Sequence, residues 1–363
     1  MGAKELRIAE RALESVVAAI FERAGAPAAH ALRAAQGLVG ANMAGHDSHG
    51  VVRVPAYLAG IRDRRLDPNA RARIVHETAT VAVIDGGSGF GQVIGREAMA
   101  IAIAKARTGG GLALAAVRRS YHLGRIGEWA EQCAEAGLVS LHFVNVVDVG
   151  GLVAPFGGRE RRMSTNPFAC GVPVPGGEPV ILDMATSKVA EGKVQVARNK
   201  GTQVPPEAII DAKGQPTRNP SDLYGPPPGA LLHFGEHKGY GLALIVDLLG
   251  GALTGGGANH DGHPAIPSVI HNNMLSIVID PAVAGDGQFA ADETRAFIAW
   301  IKSSAPLDPG SPVLVPGDPE RAHRRERGRD GIPLDAETWR QIGAAGEEVG
   351  LAPAEIARIA GVA

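Results

Sequence analysis

Cysteines are few, the charge is nearly balanced and long hydrophobic runs are missing from this sequence of 363 residues. The only two cysteines, Cys133 and Cys170, do not suggest a disulfide framework, so we expect a reducing, cytoplasmic compartment. The formal net charge of −2 gives no global attraction to nucleic acid or to an anionic membrane. We therefore expect neither as a partner.

Apolar stretches are too short or too interrupted for a signal peptide or a membrane span. Residues 1–23 follow an amphipathic helical pattern in which charged side chains such as Glu5 and Arg11 break up the apolar positions. The most apolar later stretch, 239–253, contains Asp247 and is too short to cross a bilayer. We expect no membrane role.

Hydrophobic periodicity predicts helices at both ends of the chain and an α/β centre. The terminal helices are expected over 4–24, 28–44, 51–63, 291–303, 318–327, 335–348 and 353–361. The central strands are expected over 80–84, 112–117, 138–144, 179–182 and 274–280, alternating with helices over 91–107, 126–136, 186–200 and 238–253. We expect 1–75 and 285–363 to pack together around an α/β domain formed by 76–284.

The glycine-rich turn 86–91 lies between a predicted strand and a predicted helix, as a Rossmann phosphate-binding loop would. Its spacing does not fit, because Ile94 stands where the third glycine is required. Arg118 and Arg119 also occupy the region where a ribose-binding acid is expected. We interpret 86–91 as a tight turn between strand and helix.

Two other patterns point to functions that their surroundings do not support. The pairs His46/His49 and His260/His263 have a spacing seen in zinc sites, but neither has a cysteine pair or a third clustered ligand. We therefore expect no metal. The arginine run 321–329 alternates with acidic residues, which is typical of a solvated helix face rather than a nucleic-acid-binding patch.

The segment 45–55 crowds two histidines, a serine and an arginine into the junction between two predicted helices. Arg53 would lie one turn into the second helix, within reach of His49. A guanidinium binds a carboxylate bidentately, and a neutral imidazole beside it can exchange a proton near pH 7. A polar helix cap with a surface arginine would have the same sequence, so the residues alone leave both interpretations open.

Three further segments place polar side chains where a predicted strand or loop ends. His122 follows the strand 112–117, where open α/β sheets bind ligands, although a capping or core histidine would look the same. The stretch 183–188 follows the strand 179–182 and suits either a pyrophosphate or an ordinary helix N-cap. Lys238 begins a glycine-flanked helix and could meet phosphate or solvent.

Taken in order, these segments resemble the malate/L-lactate dehydrogenase family that is distinct from the Rossmann-type enzymes, and the similarity covers nearly the whole chain. The motifs that carry it are 47–50 with Arg53 and Tyr57, 120–124, 155–158, 165–167, 182–187, 237–241 and 316–320. The resemblance implies an α/β fold whose non-Rossmann mixed-sheet cofactor domain is inserted between helical segments from the two chain ends. It also implies a homodimer. The loop 203–230 departs from the usual family sequence.

The same resemblance implies a role for each matching position. His49 and His122 are implied as catalytic proton donors or acceptors, and Ser48, Arg53 and Tyr57 as substrate-binding residues. The implied cofactor-binding residues are Thr165, Asn166, Asp183, Met184, Ala185, Thr186, Ser187, Lys188, His237, Lys238, Gly239, Gly317 and Asp318. NAD is favoured over NADP because no basic pocket for the extra phosphate is identifiable.

The sequence thus predicts a dehydrogenase that uses NAD(P) and a small 2-hydroxy or 2-oxo carboxylate. Arg53 would hold the carboxylate while His49 or His122 removes the hydroxyl proton and a hydride moves to the nicotinamide. Two alternatives remain open. One is a reductase of cyclic imine 2-carboxylates from the same family, and the other is a non-catalytic nucleotide-binding relative.

Overall fold

The computed structural model describes residues 6–147, 151–260 and 271–362. The helices are α1 (Glu10–Arg23), α2 (Ala28–Met43), α3 (Val54–Arg62), α4 (Gly91–Thr108), α5 (Gly127–Glu135), α6 (Glu191–Lys200), α7 (His237–Asp247), α8 (Pro281–Ala284), α9 (Gly287–Lys302), α10 (Asp318–Asp330), α11 (Ala336–Glu348) and α12 (Pro353–Ala360). The strands are β1 (Leu6–Ile8), β2 (Arg73–Glu77), β3 (Val81–Asp85), β4 (Leu112–Ser120), β5 (Val139–Val147), β6 (Phe168–Val172), β7 (Val180–Met184), β8 (Ile209–Ile210), β9 (Pro216–Thr217), β10 (Ala230–Leu231), β11 (His271–Ile279) and β12 (Ile332–Leu334). Single 3₁₀ turns cover Asp47–His49, Val51–Arg53 and Pro220–Leu223, and a π-helical segment, Leu248–Leu253, continues α7.

The central sheet has seven strands in the order β2-β3-β4-β11-β5-β6-β7. Its neighbours β3 and β4 run parallel, and the other neighbouring pairs run antiparallel. A Rossmann sheet is mostly parallel, so the expected α/β fold with a mixed, non-Rossmann sheet is confirmed.

Helices cover both faces of this sheet. On one face, α4 and α5 pack against strands β4 to β6, and alternate strand residues such as Val144 point into that core. On the other face lie α7 and its π-helical continuation, where Asn145 donates a hydrogen bond to Asp247 at 3.0 Å.

A second core joins the two ends of the chain. On α1, Leu13, Val16 and Ile20 are buried at helical spacing. Strand β1 pairs antiparallel with β12, α1 contacts α12, and α3 contacts α11. One C-terminal helix lies elsewhere, since Arg295 on α9 donates to the carbonyl of Pro175 at 2.9 Å. The division into a 1–75/285–363 body and a 76–284 domain stays a prediction.

Two predicted helix starts are wrong, and both errors have the same cause. The first helix begins at Glu10 rather than near residue 4, because Leu6–Ile8 pairs with β12. The helix predicted over 186–200 begins at Glu191, because the preceding loop is hydrogen-bonded to neighbouring segments of the sheet domain. Pairing with distant segments overrides the local preference at both places. Within the described ranges no helix has the length and hydrophobicity needed to cross a membrane.

Candidate active site

Two histidines that are distant in sequence lie in direct contact. His49, in the first 3₁₀ turn, has its Nδ1 atom 3.0 Å from Nε2 of His122, and the ring planes differ by 12°. His122 lies in the loop after β4. One of the two facing nitrogens must carry a hydrogen and the other must accept it, because two lone pairs at this distance would repel. We call this hydrogen-bonded pair the His49–His122 unit.

The surroundings keep the unit neutral. His122 is 6% exposed and His49 is half-buried. Desolvation, followed by the positive charge of Arg53, lowers the pKa of His49 to about 3. Burial likewise lowers the pKa of His122 well below its ordinary value. A neutral imidazole has a lone pair that can accept a proton at neutral pH.

Arg53 lies close enough to the unit for its positive charge to act on both rings. Its Nε atom donates to the carbonyl oxygen of Ser48 at 2.7 Å. Among the residues that the structure describes, the two Nη atoms have no hydrogen-bond partner. These Nη groups form the fork that binds a carboxylate bidentately.

The 3₁₀ turn that carries His49 is fixed by residues from two helices. Asn42 on α2 accepts from the backbone N–H of Val51 at 2.8 Å and donates to the carboxylate of Asp47 at 2.6 Å. Arg327 on α10 binds the same carboxylate at 2.5 Å. The 3₁₀ turn is therefore held in place by side chains from α2 and α10.

His122 is held in place by contacts with α4 and β11. The N-terminus of α4 presses against its carbonyl, where a Cβ added at Gly91 would lie 2.0 Å from the oxygen. This contact gives the glycine-rich turn 86–91 a structural purpose, because only glycine allows the helix to approach so closely. Asn272 on β11 accepts from the backbone N–H of Leu123 at 2.8 Å.

A buried tyrosine and a buried glutamine extend the unit inward. The Tyr57 hydroxyl lies 2.8 Å from Nδ1 of His122 and 3.1 Å from its carbonyl oxygen. Gln92 Nε2 donates to that hydroxyl at 2.9 Å. Tyr57, expected to bind substrate, is 1% exposed and contacts His122 on the side opposite His49. Sequence reasoning missed Gln92, whose signal was a single amide in the apolar helix start 91–95.

The segments 165–166 and 183–188, which contain most of the residues predicted to bind the cofactor, are joined by hydrogen bonds. Thr186 donates from its backbone N–H to the carbonyl of Thr165, and its hydroxyl lies 3.0 Å from the carbonyl of Asn166. The backbone N–H of Phe234 donates to the carbonyl of Thr186, three residues before His237 begins α7. Residues 165–166, 183–188 and 237–239 therefore form one assembly, which we call the loop cluster.

The segment 183–188 does not begin a helix. Thr186 and Ser187 donate their hydroxyl hydrogens to main-chain carbonyls, and Lys188 N–H donates to Leu232 O. The helix start expected at residue 186 is therefore wrong, and a helix N-terminus at that point gives no ground for a pyrophosphate. One polar atom in the cluster is left over, because Nε2 of His233 is buried and has no hydrogen-bond partner among the described residues. Sequence reasoning missed His233.

Two contacts connect the loop cluster to the rest of the site. Asp183 accepts from the backbone N–H of Gly127 at 2.8 Å, five residues after His122. The backbone N–H of Ile181 donates to Pro316 O, so Gly317 lies beside β7. The next residue, Asp318, is engaged in local ion pairs. Desolvation raises its pKa, but hydrogen bonds, chiefly from Lys302, outweigh this and lower the pKa to about 2.

The described residues contain no group of three or more histidine, cysteine or acidic side chains arranged to hold a metal. His46 instead lies 3.0 Å from Glu320. His263, from the second histidine pair of the sequence, falls outside the described residues.

Comparison with known proteins identifies the class of this mixed-sheet protein as an oxidoreductase that acts on hydroxy acids. The sequence profile of the malate/L-lactate dehydrogenase family matches residues 8–343, and the chain belongs to that family. It is 44% identical over 346 residues to hydroxycarboxylate dehydrogenase B of Escherichia coli, with 95% of each chain covered.

Two further comparisons agree with this assignment. A Δ1-pyrroline-2-carboxylate/Δ1-piperideine-2-carboxylate reductase of Pseudomonas putida is 36% identical over 302 residues, which is 82% of this chain and 86% of that one. The crystal structure of a dehydrogenase from Sinorhizobium meliloti matches with a TM-score of 0.85 and 32% identity, covering 94% of this chain and 98% of the other.

Proposed function

We propose that the protein is an NAD(P)-dependent dehydrogenase that interconverts a small 2-hydroxy carboxylate and its 2-oxo acid. The observation that carries the proposal is the neutral His49–His122 unit beside the unpartnered Nη atoms of Arg53. Besides a hydride acceptor, oxidation of a 2-hydroxy acid requires a site for the carboxylate and a base for the hydroxyl proton, and Arg53 and the His49–His122 unit supply both.

His49 is the residue that exchanges the proton with the substrate. Both nitrogens of His122 are already engaged, one by His49 and the other by Tyr57. His49 uses only Nδ1 for this contact, so Nε2 is the nitrogen left to face a hydroxyl group held by Arg53. When bound, the nicotinamide cofactor supplies the acceptor for the hydride that leaves C2 of the hydroxy acid.

The loop cluster fits a dinucleotide. The unpartnered Nε2 of His233 offers a hydrogen bond to a polar ligand beside 186–188. His237 and Lys238 are exposed at the N-terminus of α7, where the first backbone N–H groups of a helix favour an anion. NAD is our first choice because the sequence has no identifiable basic pocket, and NADP is the alternative.

A cyclic imine 2-carboxylate is the second candidate substrate. The reason is the Pseudomonas putida relative, which is named for two such imines and is 36% identical to this chain. Arg53 would hold the same carboxylate, and His49 would protonate nitrogen instead of oxygen. A non-catalytic nucleotide-binding relative is disfavoured because it would not need a proton-exchanging unit beside the arginine.

The function is tested by titrating the protein with NADH and with NADPH, and then assaying the better cofactor with a panel of pyruvate, oxaloacetate and a cyclic imine 2-carboxylate. We expect one cofactor to bind more tightly and to be oxidised with at least one 2-oxo acid. Turnover of the imine alone would establish the second candidate. Cofactor binding with no turnover on any panel member would contradict both.

We further propose that the protein is a cytoplasmic homodimer, with 76–284 inserted as a cofactor domain between the two helical ends. The observation behind the dimer is the surface of α7 and its π-helical continuation, where Leu244, Leu248 and Leu253 are between 41% and 63% exposed. Asp247 is the only charged residue between 239 and 253, and it is buried. An uncharged face suits a second copy, because a two-fold contact sets the same patch against itself.

Leu248→Glu is expected to convert the dimer to a monomer, because it buries an unpaired carboxylate at the centre of that contact. Sedimentation velocity measures the change. Leu32→Glu is the matched control, since Leu32 on α2 is 45% exposed and Leu248 is 46% exposed. A wild-type monomer, or dissociation by the Leu32 variant alone, would contradict the proposed contact.

A further inference from the structure

We propose that Gln92 is a positioning residue for proton transfer, which sets the proton affinity of the His49–His122 unit through the hydroxyl group of Tyr57. The inference rests on the proposed function of His49 and deepens it. Gln92 lies three contacts from the proton-exchanging nitrogen and, with no exposed surface, does not face the substrate.

The contacts form one unbranched chain. Gln92 Nε2 donates to the Tyr57 oxygen, that oxygen lies 2.8 Å from His122 Nδ1, and His122 Nε2 lies 3.0 Å from His49 Nδ1. The Tyr57 hydroxyl has two places for its hydrogen, His122 Nδ1 and the carbonyl oxygen of the same residue at 3.1 Å. The chain can therefore exist with its hydrogens in two arrangements.

In the first arrangement Tyr57 donates to the carbonyl, and its oxygen accepts from His122 Nδ1–H. His122 Nε2 then accepts from His49 Nδ1–H, and Nε2 of His49 keeps its lone pair. In the second arrangement Tyr57 donates to His122 Nδ1, His122 Nε2–H donates to His49, and Nε2 of His49 carries the hydrogen. The first arrangement is the base that oxidation of a hydroxy acid needs.

When the unit is protonated, the Tyr57 hydroxyl must be oriented as in the first arrangement, with its oxygen accepting a hydrogen bond from His122 Nδ1. Three hydrogens on four ring nitrogens, with one of them between the rings, require a hydrogen on His122 Nδ1. That hydrogen must be accepted by the Tyr57 oxygen. When the substrate O–H bond breaks and the His49 Nε2–H bond forms, the Nδ1 hydrogen of His49 can move to His122 Nε2, so the charge is shared by both rings.

Gln92 opposes this protonation. Its N–H occupies one acceptor direction of the Tyr57 oxygen and draws electron density from it, which weakens the hydrogen bond that the protonated unit needs. Tyr57 itself does not give up its proton, because burial raises the pKa of its phenol far above the ordinary value. The tyrosine is therefore a neutral relay, and the histidine pair is the part that titrates.

The fold reserves space for this glutamine. A Cβ added at Gly37 on α2 would lie 2.3 Å from Cγ of Gln92, so the neighbouring helix leaves room for the side chain. Arg33 Nε donates to the carbonyl oxygen of Gln92 at 3.2 Å, which holds the start of α4. The amide oxygen of Gln92 is buried and finds no hydrogen-bond partner in the part of the chain that the structure describes. An apolar side chain would avoid that cost, so packing alone does not account for an amide at this position.

Other charged and titratable groups face the unit. From the loops and helices packed around it, the charged and titratable groups are Arg53, His46, Arg125, Tyr57 and Tyr121, with Glu320 bound to His46. Arg53 and Arg125 both lower the pKa of His49. None of these groups is changed by a substitution at residue 92.

Gln92→Met is expected to raise the pH midpoint of kcat for 2-oxo acid reduction by about half a unit to one unit, because that shift corresponds to the net free energy of one hydrogen bond. Tyr57→Phe removes the oxygen that accepts from His122 Nδ1 in the protonated unit, so it is expected to lower the pH midpoint. Gln92→Glu keeps the size of the side chain and accepts the tyrosine hydrogen, so it should also move the midpoint up. A simple loss of structure would not move the pH midpoint in opposite directions. Opposite shifts in the Gln92 and Tyr57 variants therefore identify the positioning role.

The matched control is Gln132→Met, because Gln132 donates to the carbonyl of Arg96 at 3.1 Å, away from the histidines. Its midpoint should stay at the wild-type value. The nitrogen chemical shifts of His122, measured by NMR in the free protein, give a readout that needs no turnover: Nδ1 should become more hydrogen-bearing in Gln92→Met. Unchanged midpoints and unchanged Nδ1 shifts in both Gln92 variants would overturn the inference. Absence of turnover in the wild type would overturn the proposed function instead, and the NMR result would still decide the role of Gln92.

Discussion

His49→Ala is expected to lower kcat in both directions by about 10² to 10⁴-fold, the usual effect of removing a general acid–base residue. The reason is geometric, since Nδ1 of His49 faces His122 and Nε2 is the nitrogen available to substrate. The affinity for the cofactor should change little, because the loop cluster is built from 165–166, 183–188 and 237–239. Steady-state kinetics with the preferred cofactor and a fluorescence titration measure the two effects separately.

Two companion variants make this result interpretable. His122→Ala should also reduce kcat, by less than His49→Ala, because it removes the partner of the base but not the base. His76→Ala, on the exposed strand β2, is the control and should behave as wild type. Wild-type turnover in both His49→Ala and His122→Ala on every accepted 2-oxo acid would show that neither histidine exchanges the proton.

The low pKa of His49 has opposite consequences for the two directions of the reaction. Its imidazole is neutral at pH 7, which is the form that removes a hydroxyl proton. Reduction needs the protonated form, whose population falls as the pH rises, so the optimum for reduction should lie at lower pH than that for oxidation. Arg53 contributes to the low pKa, so a substrate carboxylate bound to Arg53 offsets part of that charge and raises the pKa of His49.

The central elements of the fold were predictable because their signals are local. The helices α4 and α5 and the strands β4 and β5 each carry an apolar pattern of their own, and they lie within a few residues of where the sequence predicted them. The strands β1, β2, β6, β8, β9, β10 and β12 were missed. They carry little pattern because their partners, not their own residues, determine them.

The residues of the site likewise differ in whether the sequence could predict them. His49, His122 and Arg53 could be singled out from residue type and spacing, and the family resemblance assigned them roles. Their contact could not be predicted from spacing, since His49 and His122 are 73 positions apart and meet only after the N-terminal helices pack on the sheet domain. For Gln92 the sequence offered only a single amide in an apolar helix start, and for His233 it offered no motif, because the importance of both comes from which buried atom they face.

Arg53→Met is expected to lower kcat/KM for a 2-oxo acid by roughly 10² to 10³-fold, with most of the loss in KM, because a bidentate charge-assisted contact to the carboxylate is removed. Arg53→Lys should recover only part of the loss, since an ammonium group lacks the planar fork. The affinity for the cofactor, measured by fluorescence, should remain close to that of the wild type.

The assignment of Arg53 to the carboxylate is tested most directly by changing both partners. The acid substrate is compared with its neutral amide in the wild type and in Arg53→Met, which makes a double-mutant cycle between protein and ligand. If Arg53 holds the carboxylate, the amide should lose almost as much kcat/KM in the wild type as the acid loses in the variant. In Arg53→Met the amide and the acid should then react at similar rates. Independent, additive losses would mean that another group binds the carboxylate, and that Arg53 acts on the reaction only through the charge it places beside the histidines.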